Sequence, residues 1–253
     1  MGNAIIKIKD LTVGYEDVTV LENISFEVNA GEIFIILGGS GCGKSTLLNH
    51  MVGLHEPKTG SILIHDKDLV AADTQQRREI LSSFGVAFQG GALLGSMTVL
   101  ENVMLPLQEH TGLPEKAVQW IAGQKLRLVG LGGYELHMPS QLSGGMQKRA
   151  ALARSMALDP DILFLDEPSA GLDPVTAAHL DELIMQLSDI LRITFVIVSH
   201  ELQSIFSLAG RAIMLDKESK GIIAEGCPAD MKEDRSNPAV WRFFNRMATT
   251  NTV

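Results

Sequence analysis

Residues 33–45 read Ile-Phe-Ile-Ile-Leu-Gly-Gly-Ser-Gly-Cys-Gly-Lys-Ser, which is an apolar run, a glycine-rich turn and a Lys-Ser pair in succession. The apolar run at 33–37 is typical of a buried strand. The glycines allow a tight turn that brings backbone N–H groups together, and a helix that begins near Lys44 adds its positive end. The pattern G-x-x-x-x-G-K-[ST] therefore predicts a strand, a phosphate-binding loop and a helix in this order.

The pattern gives each part of this loop a task. Lys44 is expected to reach the β- and γ-phosphates of a nucleotide, and Ser45 is expected to hold Mg²⁺. The alternative is a glycine-rich turn that merely precedes a helix, and the apolar strand before the turn argues against it. The predicted nucleotide-binding residues here are Gly38, Gly39, Ser40, Gly41, Cys42, Gly43, Lys44, Ser45 and Thr46.

A second motif, Ile-Leu-Phe-Leu-Asp-Glu at 162–167, is an apolar strand that ends in two carboxylates. In phosphate-loop enzymes such a strand delivers an aspartate to the metal, and here that aspartate is Asp166. Glu167 follows at the carboxyl end of the strand, beside the expected γ-phosphate. Glu167 is therefore the candidate for the general base or for the group that positions the attacking water.

Apolar runs and helical periodicity alternate along the chain, which is typical of an α/β fold with a parallel sheet. Alternating apolar residues before residue 30 predict strands, and a continuous run at 194–198 predicts a buried one. Apolar residues recur at helical spacing over 180–191, after an N-cap and first helical position at Asp173-Pro174. The stretch 90–160 carries helical signals, and we interpret it as a helical subdomain inserted into the core.

The 253 residues are 45% hydrophobic and 20% charged, an ordinary globular composition, and the formal net charge is −9. This acidic balance argues against broad nucleic-acid binding, which requires a basic face. No apolar run approaches the roughly 20 residues of a transmembrane helix, and residues 1–7 lack the apolar core of a signal peptide. The two cysteines, Cys42 and Cys227, make no disulfide framework. We expect a cytoplasmic protein.

Leu-Ser-Gly-Gly-Met-Gln at 142–147 resembles the signature motif of the ATP-binding cassette (ABC) ATPases, and it precedes the second acidic motif by about 20 residues, as in that family. Tyr15 resembles the aromatic residue that stacks on adenine. Gln89 resembles the glutamine near the attacking water and Mg²⁺, and His200 resembles the switch histidine. Ser-Ala-Gly-Leu-Asp at 169–173 resembles the D-loop. With the phosphate loop and the acidic strand, seven motifs stand in family order.

This resemblance covers roughly residues 4–225 and implies a P-loop NTPase (RecA-like) α/β core with an antiparallel β subdomain and an inserted α-helical subdomain. It implies one ABC ATPase domain over 1–253, with the core in 1–89 and 161–225, the helical subdomain in 90–160 and a tail in 226–253. The implied activity is ATP hydrolysis with Mg²⁺. The implied catalytic residues are Glu167, His200 and Gln89, and the implied magnesium ligands are Ser45, Gln89 and Asp166.

ABC ATPases work as pairs, so the resemblance also implies a second copy of this chain as a partner. The helix that opens at Ser143, Gly144 and Gly145 would face the γ-phosphate bound by the other protomer. A helix N-terminus suits this task because its N–H groups and dipole favour an anion. Asp173 of the D-loop belongs to the same implied nucleotide site. The implied assembly is an ATP-dependent head-to-tail dimer with two equivalent sites.

Three less specific segments resemble one subgroup of this family. Phe-Gln-Gly-Gly-Ala-Leu-Leu at 88–94 precedes Met-Thr-Val-Leu-Glu-Asn-Val at 97–103, and Met-Pro-Ser-Gln-Leu follows at 138–142. These segments look like the ATPase subunit of Mla-type phospholipid transporters, which move lipids between the two membranes of diderm bacteria. The implied partners are an MlaE-like permease, a lipid-binding MCE-domain protein and a small STAS-type regulatory subunit, with no nucleic acid. The implied location is the cytoplasmic side of the inner membrane, with the chain peripheral.

The main alternative is the ATPase of another importer, for amino acids, metals or peptides. The segment after Gln89 should discriminate between a phospholipid transporter and another importer, because this segment must fit the permease. Tyr15 is either an adenine platform or a strand-edge aromatic residue. Cys42 is either a small packing residue or, because a helix N-terminus lowers the pKa of a thiol, a redox-sensitive one. The predicted tail helix at 240–247, with Met247 on its apolar face, either packs on its own chain or docks on another subunit.

Overall fold

The structure, a computed structural model, describes residues 3–247; Met1, Gly2 and residues 248–253, with the end of the predicted tail, lie outside this range. Within it the strands form two sheets, one of four strands and one of six. The strands are β1 (Ala4–Tyr15), β2 (Val18–Asn29), β3 (Ile33–Gly38), β4 (Thr59–Ile64), β5 (Lys67–Asp68), β6 (Phe84–Ala87), β7 (Ile162–Asp166), β8 (Thr194–Val198), β9 (Arg211–Asp216) and β10 (Gly221–Gly226).

Helices connect the strands of the larger sheet and fill the stretch between β6 and β7. A short 3₁₀ turn at Pro139–Gln141 precedes the fifth of them. The α-helices of the described residues are α1 (Lys44–Met51), α2 (Thr74–Ser82), α3 (Val99–His110), α4 (Glu115–Leu128), α5 (Gly144–Ser155), α6 (Pro174–Leu191), α7 (Leu202–Leu208), α8 (Pro228–Glu233) and α9 (Pro238–Phe244).

The larger sheet has the strand order β10-β9-β3-β8-β7-β6. Its neighbouring strands are parallel except for the antiparallel pair β9 and β10. Every residue of β7 and β8 is buried, as the continuous apolar runs predict for strands that are covered on both faces. The smaller sheet, β2-β1-β4-β5, is antiparallel, and its inward side chains share one core with α1 and one face of the larger sheet.

The parallel pairing brings the ends of four strands to one edge of the larger sheet. β3 ends at Gly38, where the glycine-rich loop begins, and β7 ends at Asp166. β6 ends two residues before Gln89, and β8 ends two residues before His200. Carboxyl ends of parallel strands are where α/β proteins bind their ligands, so this edge is the expected position of the site.

The stretch 90–160, all of which is described, contains helices and no strand, in agreement with the sequence pattern. Helix α3 begins at a capping box in which the Thr98 hydroxyl accepts from the Glu101 N–H and the Glu101 carboxylate accepts from the Thr98 N–H. The buried side chains of α3, α4 and α5 belong to the same cluster as one face of the larger sheet. The helical segment therefore shares its core with the sheet, and the subdomain limits stay a prediction.

The tail helix ends earlier than the sequence predicts. Helix α9 stops at Phe244, and Met247 lies beyond it and is 54% exposed, so Met247 is not part of the apolar face. Val240 and Phe244 are buried, and the Phe244 ring lies 5.6 Å from that of Phe206 on α7. Asn245 caps the helix, with its side-chain amide donating to the Trp241 carbonyl oxygen, and Arg246 then has a φ of +52°, which a right-handed helix cannot continue through. Within the described residues, the tail packs on its own chain.

Candidate nucleotide site

A cavity of about 650 Å³ opens at the carboxyl edge of the larger sheet. Six segments that are distant in sequence meet there: one residue of β2, the loop after β3 with the start of α1, single residues that follow β6, β7 and β8, and one residue of α9. Eleven of its thirteen lining residues are residues that the sequence motifs single out. The lining residues are Val20, Gly38, Gly39, Ser40, Gly41, Gly43, Lys44, Ser45, Thr46, Gln89, Glu167, His200 and Phe243.

The glycine-rich loop takes backbone conformations that other residues adopt poorly. Gly43 has a φ of +101°, and a Cβ atom there would lie 2.8 Å from the Val20 side chain. At Gly38 a Cβ atom would lie 2.5 Å from the Leu215 carbonyl oxygen. Only glycine fits both positions, because neither the left-handed φ nor the close contacts tolerate a side chain. The loop leads directly into α1, which begins at Lys44 as the motif predicts.

The Lys44 side chain folds back over this loop. Its Nζ atom donates to the carbonyl oxygens of Gly38, at 2.9 Å, and of Gly39, at 3.1 Å. Lys44 is only 8% exposed, although it lines the cavity. The buried ammonium group and the N-terminus of α1 together make this end of the cavity a place for a polyanion.

Ser45 and Asp166 meet on the floor of the same site. The Ser45 hydroxyl donates to Asp166 Oδ1 at 3.1 Å, across 121 residues of sequence. Burial raises the pKa of Asp166, while the bond from Ser45 and the nearby Lys44 lower it. Hydroxyl and carboxylate oxygens are hard ligands of the kind that Mg²⁺ prefers. The donor set at Ser45 and Asp166 therefore fits a magnesium ion.

Glu167 and His200 form a close pair at the opposite wall. The distance from His200 Nδ1 to Glu167 Oε1 is 2.6 Å, and the ring nitrogen donates. Glu167 is 7% exposed, and its other carboxylate oxygen, Oε2, has no hydrogen-bond partner within the described residues. Glu167 also has a φ of +47°, an uncommon value for a non-glycine residue. A buried, strained carboxylate with a free oxygen at a cavity wall is typical of a catalytic group.

Lys148 of α5 connects the two loops that carry Gln89 and Glu167. Its Nζ atom donates to the Gln89 carbonyl oxygen and, at 3.3 Å, to the Glu167 carbonyl oxygen. Burial lowers the pKa of Lys148, and the nearby Asp166 and Glu167 raise it. The sequence motifs miss this residue, because a lysine four positions after Gly144 carries no signal until α5 packs against both loops.

Phe243 and Val20 are the other lining residues that the motifs miss. Phe243 belongs to α9, in the tail that the family resemblance leaves unassigned, and its ring stands edge-on to that of Phe244. Val20 belongs to β2 and lines the cavity beside Gly43. No sequence signal marks either residue, because each reaches the cavity only through the packing of its element.

Seven of the predicted site residues do not line the cavity. Tyr15 is 43% exposed, its hydroxyl lies 3.5 Å from Thr46 Oγ1, and its ring stands edge-on to that of His55 at 5.2 Å. Asp166 lies just beneath the wall through its bond to Ser45. The other five residues outside the cavity are Cys42, Ser143, Gly144, Gly145 and Asp173.

The signature segment and the D-loop meet where α5 and α6 begin, and neither segment lines this cavity. Ser143 is the N-cap of α5, and its hydroxyl accepts from the Met146 N–H. Asp173 is the N-cap of α6 and accepts from the N–H groups of Val175 and Thr176, as predicted. A Cβ atom at Gly145 would lie 2.5 Å from Thr176, so glycine at this position lets α5 approach α6. The chain's own phosphate loop does not bring these residues into its cavity.

The pKa of the Cys42 thiol shifts in the direction opposite to the one expected from the sequence. We expect the N-terminus of α1 to lower its pKa, but burial, which is the largest effect, raises it. Cys42 is 3% exposed, and a Cβ atom at Gly38 would lie 2.6 Å from its sulfur. The packing role therefore fits the structure, and the low-pKa argument for a redox-sensitive thiol is wrong because the sulfur faces the interior.

Residues 21–170, more than half of the chain, match the ABC transporter family. The chain belongs to this family. It is an ATP-binding cassette ATPase, and the phosphate loop, acidic strand and signature segment all fall within or at the limits of the matched region. Among residues 3–247, this cassette has no helix that is long and apolar enough to cross a membrane.

Curated relatives and similar solved structures cover most of this chain. The probable ribonucleotide transport ATP-binding protein mkl of Mycobacterium leprae is 40% identical over 97% of this chain and 70% of its own. The intermembrane phospholipid transport system ATP-binding protein MlaF of Escherichia coli K12 is 38% identical over 96% of this chain and 90% of its own. The dimeric structure of the bacterial ABC transporter cassette MJ0796 superposes with a TM-score of 0.79 at 31% identity, over 88% and 98% of the two chains.

Proposed function

We propose that this cassette hydrolyses ATP to power a transporter that moves phospholipids between the inner and outer membranes of a diderm bacterium. The observation that carries the hydrolytic part is the Glu167–His200 pair, which shares one cavity with the phosphate-loop Lys44. The sequence identity of 38% to the Escherichia coli protein MlaF, over most of both chains, supports phospholipid as the cargo. The two parts rest on different observations and need separate tests.

Glu167 is the group that orients and deprotonates the attacking water in this proposal. Oε2, which is buried and has no hydrogen-bond partner within the described residues, is the oxygen that would accept from the attacking water, while Oε1 is bonded to His200. His200 holds the carboxylate in one orientation through the contact between Nδ1 and Oε1. Lys44 and the loop N–H groups bind the β- and γ-phosphates and balance the charge that develops on the transferred phosphoryl group.

Mg²⁺ completes the site in the proposal. Ser45, Asp166 and Gln89 would hold it, and when bound it would neutralise charge on the β- and γ-phosphate oxygens. The contact between the Ser45 hydroxyl and Asp166 Oδ1 supports this assignment, because it gathers two oxygen ligands beside the phosphate loop. Gln89 lines the cavity, and Lys148 anchors its backbone through the Gln89 carbonyl oxygen.

A second copy of the chain supplies the other half of each site in the proposal. Ser143, Gly144 and Gly145 lie at the N-terminus of α5 but outside the cavity of their own chain, which leaves that anion-binding end for a partner's phosphate. The dimeric cassette structure MJ0796, at 31% identity, supports the pairing. Asp173 lies close to this helix end and would be part of the interface between the two copies.

A permease is the proposed membrane partner, and the segment after Gln89 is its proposed contact. Arg154 fixes this segment by donating to the carbonyl oxygens of Gly91, at 2.9 Å, and Ala92, at 2.7 Å. The helical stretch also exposes large apolar side chains, with Leu94 42% and Trp120 67% exposed. An MlaE-like permease, an MCE-domain protein and a STAS-type subunit complete the proposed transporter at the cytoplasmic face of the inner membrane.

Purification of the tagged chain from detergent-solubilised native membranes tests the transport proposal. We expect a multi-span permease, an MCE-domain protein and bound phospholipid to co-purify, as detected by mass spectrometry. The Lys44→Ala variant, purified in parallel, serves as the matched sample in which nucleotide binding is weakened. A permease that carries nucleotides, as the name of the mycobacterial relative suggests for that protein, or a solute-binding protein without lipid, would contradict the lipid cargo while leaving the hydrolytic proposal intact.

A further inference from the structure

Three polar residues are buried together behind the Glu167–His200 pair. Ser169 is 2% exposed, Asp181 is 3% exposed and Ser204 is 4% exposed. They come from three elements: the D-loop, α6 and α7. No part of the hydrolytic mechanism described above uses them. Buried polar groups are costly unless they are bonded, so such a cluster calls for an explanation.

The cluster is a chain of hydrogen bonds. The hydroxyl oxygens of Ser169 and Ser204 lie 3.3 Å apart. Asp181 lies beside Ser204: burial, the largest effect, raises the pKa of Asp181, the neighbouring Ser204 hydroxyl lowers it, and Glu201 raises it further. The second carboxyl oxygen, Oδ1, has no hydrogen-bond partner in the part of the chain that the structure describes.

The cluster links the two segments that carry the catalytic pair. Ser169 follows Glu167 by two residues, and Ser204 follows His200 by four. Asp181 belongs to α6, which packs against α7 and is continuous with the D-loop through Pro174. The contact between Ser169 and Ser204 therefore joins the loop that carries Glu167 to α7, the helix that follows His200.

Stability alone does not account for this arrangement. Asp181 is desolvated and leaves Oδ1 without a partner among the described residues, which costs free energy that a fully bonded or apolar group would not. A polar link of this kind specifies one geometry where an apolar contact would let α7 slide against α6. The geometry that it specifies is the 2.6 Å separation of His200 Nδ1 and Glu167 Oε1.

We infer that Asp181 is a positioning residue for ATP hydrolysis, which acts through Ser204 and Ser169 to hold His200 against Glu167. The inference rests on the proposed roles of Glu167 and His200. Asp181 does not touch the cavity, so it affects the rate of hydrolysis and not the binding of ATP. The link requires hydrogen bonding at position 181, and a neutral amide there can replace the carboxyl group.

The test compares Asp181→Leu with Asp181→Asn in the full-length chain within its purified transporter complex. For Asp181→Leu we expect kcat to fall about 10- to 100-fold, the scale of a small misplacement of a catalytic group. The dissociation constant for ATP should stay within about twofold, because Asp181 does not line the cavity, and the variant should remain folded at the assay temperature. For Asp181→Asn we expect kcat close to that of the unchanged protein.

Ser204→Ala supplies an independent arm, with Ser188→Ala as its matched control. Ser188 is also buried on α6, but its hydroxyl donates to the Ile193 carbonyl oxygen at the far end of that helix. Ser204→Ala should lower kcat at constant ATP affinity, and Ser188→Ala should not. Because Asp181 acts through Ser204, the double variant Asp181→Leu/Ser204→Ala should be no slower than the slower single variant.

Three results would overturn the inference. The first is an unchanged kcat for Asp181→Leu. The second is a loss of rate that follows a loss of ATP affinity or of folded protein, which is what a merely structural role predicts. The third is an Asp181→Asn variant as slow as Asp181→Leu. A Glu167→Gln reference keeps the two proposals apart: if it hydrolyses ATP at a near-normal rate, the proposed mechanism is wrong whatever the variants at position 181 do.

Discussion

His200 Nδ1 lies 2.6 Å from Glu167 Oε1, although the two residues are 33 positions apart and follow different strands. The contact forms because β7 and β8 are parallel neighbours, with Asp166 paired to Val198, so the residues that follow each strand emerge side by side. The side chain of His200 is 56% exposed, whereas that of Glu167 is 9% exposed. The pair therefore has a buried carboxylate and a partner that the solvent, or a second cassette, can reach.

Glu167→Gln should abolish most ATP turnover and leave ATP binding intact. The amide keeps the shape of the side chain but cannot accept a proton, and loss of a general base typically costs about 10²- to 10⁴-fold in rate. Steady-state hydrolysis and binding of a fluorescent ATP analogue measure the two effects, and size-exclusion chromatography with ATP should detect a trapped dimer. Glu182→Gln, at an exposed position of α6, is the control. Hydrolysis within a few-fold of normal would contradict the role of Glu167.

Tyr15→Ala should weaken ATP binding if the ring stacks on adenine. Stacking of a base on an aromatic ring contributes about 1–3 kcal/mol, so the dissociation constant for ATP should rise by roughly 5- to 150-fold. Binding of inorganic tripolyphosphate, which lacks the base, should not change. Tyr15→Trp should retain binding, and Tyr134→Ala, another partly exposed tyrosine, is the control. Equal losses for ATP and tripolyphosphate would instead favour a structural role for Tyr15 at the strand edge.

Asn102→Ala should destabilise the protein and loosen the segment after Gln89. The Asn102 side chain is fully buried, donates to the carbonyl oxygens of Leu94, Met97 and Thr98, and accepts from the Leu94 N–H. Leaving buried backbone groups unpaired costs about 1–3 kcal/mol. Urea unfolding measures the change, with the exposed Gln108→Ala on the same helix as the control. An unaltered unfolding midpoint would show that water replaces these bonds at little cost.

Acid should destabilise the protein through His50. Burial lowers the pKa of His50 below its ordinary value of 6.5, and its Nε2 atom has no hydrogen-bond partner in residues 3–247. The unfolded chain therefore binds a proton more readily than the folded one as the pH falls through 6.5, so stability is retained above that pH and lost below it. His50→Leu should reduce the loss of Tm between pH 8 and pH 5.5, relative to the exposed control His110→Leu. An identical pH profile for the two variants would exclude His50 as the cause.

Much of the site could be predicted because its residues are close in sequence or fixed to strand ends. The glycine-rich loop is one continuous segment, so its pattern alone predicts the turn, the start of α1 and the task of Lys44. Asp166 and Glu167 follow from an apolar strand that ends in two carboxylates. Asp173 follows from a local capping preference, and the structure confirms it as the N-cap of α6.

Tertiary structure alone decided the rest, because it depends on contacts between segments that no local pattern connects. Lys148 joins two loops only after α5 has packed beside β6 and β7, and Phe243 reaches the cavity only through the docking of α9 on α7. The sign of the Cys42 pKa change depends on which way the thiol faces, and the buried link from Ser169 to Asp181 depends on the packing of α6 against α7. Sequence determined the chemistry that this chain carries, since backbone conformation and residue type are local. The fold determined which of those groups lie within hydrogen-bond distance, since that distance is set by how whole elements pack.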